Sequence, residues 1–343
     1  MRPVRSYDLQ ETEARMTNRW TAFYLTVLTS LAVPLRAEAP SYPCHRVAAA
    51  PVVDGEVEGD AAWSRIPSAT GFYKLGGAYT LAKQTAVQAC WDSQALYVAM
   101  TCEEPDIAKF KPQVRDGGPF WEEDGVEIFL QPGAGKQVYQ FGITASGARG
   151  GHEGFPEFTK LKAAARAGAG KYSLEVRIPF EVVRATPSLG DKWRGNFCRN
   201  IYLTASGGDK FTCWAPLEKQ FLEPQRFAVL TFAGPAPEPT EAARIGERLN
   251  AGYRKHLVGL LRASAEQAQE YVPVLDEASR DKKFGAKATE VLTRWRQLES
   301  LCRQAETAPI ADLRSTLAGA NALIQASYDL KYAYLIAHLF GDE

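Results

Sequence analysis

The chain has two regions with different hydrophobic patterns. Between residues 41 and 232 the apolar residues occur in short runs with a period of two, and glycine and proline separate the runs. This is the pattern of β-strands. The runs predict eight strands, at 87–91, 95–100, 125–130, 138–144, 172–178, 196–203, 211–214 and 227–232. Because no helical pattern lies between them, they predict an all-β sandwich rather than a parallel α/β sheet.

The C-terminal third of the chain has the period of helices. Segment 234–239 is rich in proline and is interpreted as a linker, after which glycine and proline become rare. Within 284–305 the apolar residues recur in alternating steps of four and three, which is a heptad pattern. Pro273 and Pro309 mark breaks between three long helices. We therefore predict a helical hairpin or three-helix bundle over 240–343, serving as a spacer or self-association element, or packed on the sandwich.

Residues 1–39 are predicted to be a signal peptide with an N-terminal extension. Segment 20–35 is uncharged and apolar but short for a membrane span. Ala37 and Ala39 follow it and supply the small residues that a signal peptidase requires. Cleavage after Ala39 would export the chain to the periplasm or the extracellular space, with the sandwich at 40–233 and no transmembrane span. An uncleaved anchor helix is the alternative.

The balance of charges disfavours one large class of partners. Forty lysines and arginines balance forty aspartates and glutamates among the 343 residues, so the formal net charge is zero. A protein whose main partner is nucleic acid or an anionic membrane usually carries a basic surface. We therefore expect no nucleic-acid partner.

The six cysteines would lie in an oxidising compartment if the chain is exported. Cys198 and Cys213 lie on neighbouring predicted strands and are candidates for a disulfide. The alternative is that several of the six are buried thiols. Their spacing matches no zinc-binding pattern, because the chain has no C-x-x-C motif and only four histidines.

One predicted strand, 125–130, directs a carboxylate away from the core. Its apolar residues alternate onto one face, so Glu127 must point to the other. Trp121 lies just before this strand, where its ring can stand at the sheet edge as a platform for the C–H face of a sugar. An ionised side chain can bond sugar hydroxyls. The alternative is a structural salt bridge from Glu127 to Arg149 or Arg177.

Five segments of the chain, in order, resemble family 9 carbohydrate-binding modules. The segments are 51–63, 89–98, 121–130, 172–179 and 224–227. The resemblance covers roughly residues 44 to 232 and none of the helical region. It implies a jelly-roll-like β-sandwich of the carbohydrate-binding-module type, related to the dopamine β-monooxygenase N-terminal (DOMON) type of domain. It also implies an oligosaccharide or polysaccharide as the partner and binding without catalysis.

The resemblance implies a set of ligand-binding residues. In this family two aromatic rings hold a terminal sugar, while a glutamate and amide or basic side chains bond its hydroxyls. Trp121 and Glu127 carry over by motif position, and Trp214 is the candidate for the second ring. Arg149 is the candidate basic contact and Asn200 a candidate polar contact. The large aromatic side chains expected in the core instead are Trp63, Trp91 and Trp193.

A structural calcium ion and two alternative functions are also consistent with the sequence. The resemblance implies a calcium ion, for which the candidate oxygen donors are Asp54, Glu56 and Asp60. The carboxylates within 122–127 would suit a glycoside hydrolase-associated enzyme. Some relatives of this sandwich hold haem with Met and His, so a haem-binding electron-transfer domain would use Met100 and His152. Met100 is in phase with the apolar residues of its strand, which favours a core position instead.

Overall fold

The computed structural model of the protein describes residues 39–152, 156–203 and 210–339. The predicted leader therefore lies outside the described residues, except for Ala39. The strands are β1 (Ser41–Arg46), β2 (Tyr73–Lys74), β3 (Thr85–Trp91), β4 (Ala95–Glu103), β5 (Gly125–Gln131), β6 (Tyr139–Thr144), β7 (Arg149–Gly151), β8 (Lys162–Gly168), β9 (Lys171–Pro179), β10 (Lys192–Asn200), β11 (Phe211–Cys213) and β12 (Ala228–Pro235). The helices are α1 (Pro239–Leu249), α2 (Ala251–Gln269), α3 (Val272–Ala278), α4 (Gly285–Gln304) and α5 (Ile310–Leu339).

The strands form one sheet that folds over on itself. Its order is β7-β6-β5-β10-β12-β1-β3-β4-β9-β8, and β11 and β2 extend from β10. The main core joins apolar residues of β5, such as Ile128, to apolar residues of β4, such as Val98. The two halves of the sheet therefore face each other across this core, which confirms the predicted all-β sandwich.

All eight predicted strands are present, with one error of position. The prediction at 196–203 is wrong at both ends, because β10 runs from Lys192 to Asn200. The chain leaves the sheet after Asn200 because the buried carboxylate of Asp124 accepts hydrogen bonds from the backbone N–H groups of Tyr202 and Leu203.

The helical region has the three predicted long helices, α2, α4 and α5, and two short ones that the pattern did not predict. The long helices share a core of their own, in which Leu257, Trp295 and Leu317 are buried. Trp295 donates its indole N–H to Ser327 Oγ at 2.9 Å, which satisfies a polar group inside this core.

The helical bundle is packed on the sandwich. Arg314 of α5 donates to both carboxylate oxygens of Glu103 in β4, at 2.5 and 2.7 Å. Asn250 accepts the backbone N–H of Thr70 at 2.8 Å. These contacts favour the packed bundle over the spacer, whereas self-association through the helices stays a prediction. In the described part of the chain, no helix is both long and apolar enough to cross a membrane.

Candidate functional site

The half of the sheet made of β10, β5, β6 and β7 has one face on the main core and one face away from it. In the register, Glu127 of β5 lies between Cys198 of β10 and Gly142 of β6, and Gly142 lies opposite Gly150 of β7. Directly opposed residues of neighbouring strands share a face. The face of the sheet that carries Cys198, Glu127, Gly142 and Gly150 is called the site face.

Glu127 is the charged group at the centre of the site face. Its side chain is only 3 % exposed. Asn200 Nδ2 donates to Glu127 Oε1 at 2.7 Å, and Gln140 Nε2 donates to Oε2 at 2.6 Å. Burial raises the pKa of this carboxyl above its ordinary value, and the two amide hydrogen bonds partly oppose that rise. The carboxylate is therefore fixed in direction.

The two amides extend the polar surface around Glu127. Asn200 lies opposite Gly125 on the same face and is almost fully buried. Its Oδ1 is buried and has no hydrogen-bond partner among the described residues, so an acceptor faces this site. Sequence reasoning missed Gln140. The alternation in β6 could have identified it: Gln140 lies between the buried apolar residues Tyr139 and Phe141 and therefore points to the opposite face, away from the main core.

Trp121 stands at the rim of the site face on a support made by Phe120. The Phe120 ring covers Gly142 and Gly150 so closely that a Cβ at either glycine would lie 1.8 or 2.2 Å from it. Trp121 packs edge to face on Phe120, with ring centroids 4.9 Å apart. The Trp121 side chain is nevertheless 46 % exposed. An exposed indole ring therefore stands on the residue that covers Gly142, the neighbour of Glu127 in the register.

Tyr202 is a second aromatic residue beside the same polar groups. Asp124 fixes its backbone, and its ring lies edge to face against Phe211 with centroids 6.3 Å apart. The pKa of its phenol is raised by partial burial and by the charges of nearby carboxylates, of which Glu122 and Glu127 act most strongly. Sequence reasoning missed Tyr202 because the strand was predicted to continue through it.

The acidic residues before β5 hold the backbone around the site. Glu123 accepts the backbone N–H groups of Gln113 and Val114, at 3.0 and 3.1 Å. Asp124 performs the same task for Tyr202 and the residue after it. Glu123 and Asp124 are therefore built into the support of the site, whereas Glu122 is exposed.

The prediction that Trp214 forms the second ring is wrong. Trp214 is 4 % exposed and packs in the main core, with its ring 5.9 Å from Tyr42 and 6.1 Å from Phe197. Its backbone N–H donates to the carbonyl of Phe197 directly opposite. Because Phe197 points into the core, the residue opposite it does too. Trp63, Trp91 and Trp193 are buried as expected.

Arg149 does not lie with the other predicted site residues. The register places it opposite Ile143, which points into the main core, and so on the other face from Glu127. Its guanidinium pairs with Asp116 and also donates to the carbonyl of Leu161. The expected basic contact at this position is therefore corrected to a structural ion pair, and the salt bridge to Glu127 is also wrong.

The candidate calcium ligands do not converge. Asp54 and Asp60 each accept a backbone N–H two residues ahead, and Glu56 pairs with Arg166. Over the described ranges, no group of three or more His, Cys, Asp or Glu side chains is arranged to hold a metal ion. These residues therefore do not fit the ion that the resemblance implies. Met100, the candidate haem ligand, is fully buried in the main core.

Comparison with known proteins shows which family the sandwich resembles. The family described as "Carbohydrate family 9 binding domain-like" matches residues 53–234, just over half of the chain. A family 9 carbohydrate-binding module from Caldicellulosiruptor kristjanssonii in complex with cellotriose is similar at 17 % identity and a TM-score of 0.41, covering 56 % of this chain and 94 % of that one. The module from the same organism in complex with glucose gives 17 %, 0.43, 56 % and 96 %. No curated protein matches significantly.

Proposed function

Because the chain belongs, over residues 53–234, to the carbohydrate family 9 binding domain-like family, we propose that its site face binds the end of an oligosaccharide or polysaccharide. One observation carries the proposal: the buried, doubly hydrogen-bonded carboxylate of Glu127 shares the site face with Phe120, the ring that supports the exposed indole of Trp121. A sugar carries hydroxyl groups, which a carboxylate can bind, and C–H groups, which an open aromatic ring can contact.

The two aromatic residues would hold the sugar ring from different sides. Trp121 is supported from below by Phe120, so its ring is placed before any ligand arrives. Tyr202 lies two residues after Asn200, which is the last residue of β10. A rigid aromatic surface loses little conformational entropy on binding. We propose Tyr202 for the role of second ring, for which the resemblance made Trp214 the candidate.

The polar groups beneath would bond hydroxyls. Each oxygen of Glu127 already accepts one amide N–H and keeps a lone pair for a hydroxyl donor. Asn200 Oδ1 would accept a second hydroxyl, which would satisfy a buried acceptor that otherwise lacks a partner. Because these groups are fixed by one another, a hydroxyl pair of matching geometry is favoured.

One end of the site face is closed, which favours a chain end over an internal unit. Phe129, Leu217 and Phe227 form a small apolar cluster beyond Glu127 on this face. Glu223 holds the segment that covers them by accepting the backbone N–H groups of Glu218 and Lys219. A polysaccharide that continued in this direction would meet this cluster.

We infer binding without catalysis. Glycosidases use two carboxyl groups on opposite sides of the scissile bond, about 5 to 9 Å apart. Here Glu123 and Asp124 are buried and each accepts two backbone N–H groups through one oxygen. Glu127 is held between two amides, so that Glu122 is the exposed carboxylate of this group. Incubation of the protein with each oligosaccharide that it binds should release no new reducing ends. Release at a rate that falls in Glu127→Gln would contradict this inference.

We also propose export, on the support of the leader pattern in residues 1–39. Expression of the full chain in a bacterial host should yield a protein in the periplasm or medium whose first residue is Pro40. Full-length protein retained in the membrane fraction would favour the uncleaved anchor instead.

Isothermal titration with cellotriose and glucose, the ligands of the two compared modules, and with xylan and mannan fragments tests the proposed site. We expect at least one fragment to bind, and Trp121→Ala to weaken that binding about tenfold or more, or about 1.4 kcal/mol. Tyr328→Ala is the matched control, since Tyr328 is a similarly exposed aromatic residue on α5. The absence of heat with every fragment, or equal affinity of Trp121→Ala, would contradict the proposal.

A further inference from the structure

Two buried thiols lie directly opposite each other on the site face. Cys198 of β10 is paired in the register with Cys213 of β11, and both side chains belong to the small apolar cluster of that face. Both are fully buried. Sequence spacing made this pair only a candidate, whereas the register places the two residues side by side.

The hydrogen bonds of the ladder show which type of pair this is. Trp214 N–H donates to the carbonyl of Phe197 directly opposite, at 2.9 Å, and Ile201 N–H donates to that of Lys210, at 2.8 Å. In an antiparallel ladder, hydrogen-bonded and non-hydrogen-bonded pairs alternate. Phe197 and Trp214 form a hydrogen-bonded pair. Cys198 and Cys213 are the next pair along the ladder and are therefore a non-hydrogen-bonded pair.

That geometry suits a cross-link. Opposed residues of a non-hydrogen-bonded pair have Cα atoms about 4.5 Å apart and side chains at their closest. Disulfides join cysteines whose Cα atoms are about 4.4 to 6.8 Å apart. By contrast, Cys44 faces the main core and Cys90 faces the opposite side of the sheet, in a different cluster.

We propose that Cys198 and Cys213 form a disulfide when the chain folds in an oxidising environment. The oxidant is a disulfide, either of a small thiol or of a thiol-oxidising protein. One cysteine thiolate attacks it, forms a mixed disulfide and expels one thiol. The second cysteine then attacks the mixed disulfide, forms the Cys198–Cys213 bond and expels the other thiol. The protein loses two electrons and two protons, and the oxidant is reduced to two thiols.

Burial of the two thiols determines the point during folding at which this reaction occurs. Burial raises the pKa of the Cys213 thiol to about 12 and also raises the pKa of Cys198. The thiolate is the reacting form, so the folded dithiol reacts slowly. The bond therefore forms before the strands close, and in the folded protein it is protected from reductants.

The cross-link braces the edge of the site. Cys198 precedes Asn200 by two residues in β10, and Cys213 follows Phe211 by two in β11. Phe211 packs against Tyr202. A bond between the two strands thus fixes Asn200 relative to Phe211, the aromatic residue opposite it. The proposal itself rests on the register and not on carbohydrate binding.

The test is refolding of the chain with oxidised glutathione, followed by denaturation, alkylation without reductant and peptide mapping. We expect Cys198 and Cys213 to escape alkylation and to appear as one cross-linked peptide, with the other cysteines alkylated. Protein refolded in the presence of reductant, so that the bond never forms, should melt several degrees below the oxidised protein. Cys198→Ala should expose Cys213 to alkylation and remove this effect, whereas the control Cys90→Ala should keep both. Full alkylation of Cys198 and Cys213, or a bridge from either to another cysteine, would overturn the proposal.

Discussion

At the scale of single residues, Glu127 determines the chemistry of the site face. Its carboxylate is buried, yet both of its oxygens are hydrogen-bonded by amides of neighbouring strands. Such bonds offset part of the free energy that burial of a charge costs. The proposed ligand adds hydroxyl donors to the same oxygens, and these favour the ionised form.

Carbohydrate affinity should therefore fall in acid. Burial places the pKa of Glu127 above its ordinary value, so protonation begins at a higher pH than for an exposed glutamate. Above this pKa the carboxylate accepts hydroxyls and affinity is constant; below it, affinity declines with each unit of pH. Titration calorimetry from about pH 7 to about pH 4 measures this. Glu127→Gln should bind weakly at every pH, and an equal acid decline in that variant would assign the effect to another group.

Two tryptophans should respond in opposite ways to truncation. Trp214→Ala removes a core side chain and should lower the free energy of unfolding by about 3 to 5 kcal/mol. Trp121→Ala removes an exposed ring and should lower it by less than about 1 kcal/mol, while it weakens sugar binding. Urea denaturation of both variants distinguishes them. A larger loss for Trp121→Ala than for Trp214→Ala would contradict the assignment of these two rings.

Trp121 and Glu127, the two candidate site residues that share a local motif, both lie on the site face or at its rim. Trp121 and Glu127 lie six positions apart, in a short 3-10 turn and in the strand β5 that follows it. Trp214 and Arg149 depended on the face of a strand whose register the sequence does not specify, and both turned out to point away from the site. A slip of one residue reverses every side chain of a strand.

At the scale of elements, two glycines in β6 and β7 make room for the support of Trp121. A Cβ at Gly142 would lie 1.8 Å from the Phe120 ring. Gly142→Ala should therefore displace Phe120, lower stability by about 1 to 3 kcal/mol and weaken binding. Gly319→Ala is the control, because a Cβ there meets nothing in α5 and should be neutral or stabilising. Full affinity in Gly142→Ala would show that Trp121 does not depend on this support.

Strand β8 shows why some elements escape prediction. Its sequence, Lys-Ala-Ala-Ala-Arg-Ala-Gly, has low strand propensity and no clear alternation. It lies at the end of the sheet and pairs with β9 over seven residues. Long-range pairing with a strongly apolar neighbour, rather than its own pattern, makes it a strand.

At the scale of the whole molecule, the sandwich and the helical bundle should unfold together. Arg314 connects them through Glu103 and through the carbonyl of Leu81. Differential scanning calorimetry should show one transition. Arg314→Ala should weaken the junction by about 1 kcal/mol and lower or broaden that transition. Arg262→Ala removes an exposed ion pair within the bundle and should have little effect. Two separate transitions in the unmodified protein would contradict the coupling.

The heptad pattern predicted the bundle and its long helices but not where it packs. Its docking contacts include the aromatic ring of Tyr253, which packs against Tyr79, and two polar residues, Asn250 and Arg314. On an amphipathic helix such residues are usually solvated, so nothing in the pattern distinguishes them from surface residues.

Sugar binding at Trp121 can be observed in the nuclear magnetic resonance spectrum of the indole N–H groups, recorded while an oligosaccharide that binds is titrated into the protein. The chain has seven tryptophans, and we expect the Trp121 signal to shift until the site is saturated while the signals of Trp214 and Trp63 stay in place. A ligand that shifts Trp214 or Trp63 and leaves Trp121 unchanged would show that the sugar binds elsewhere.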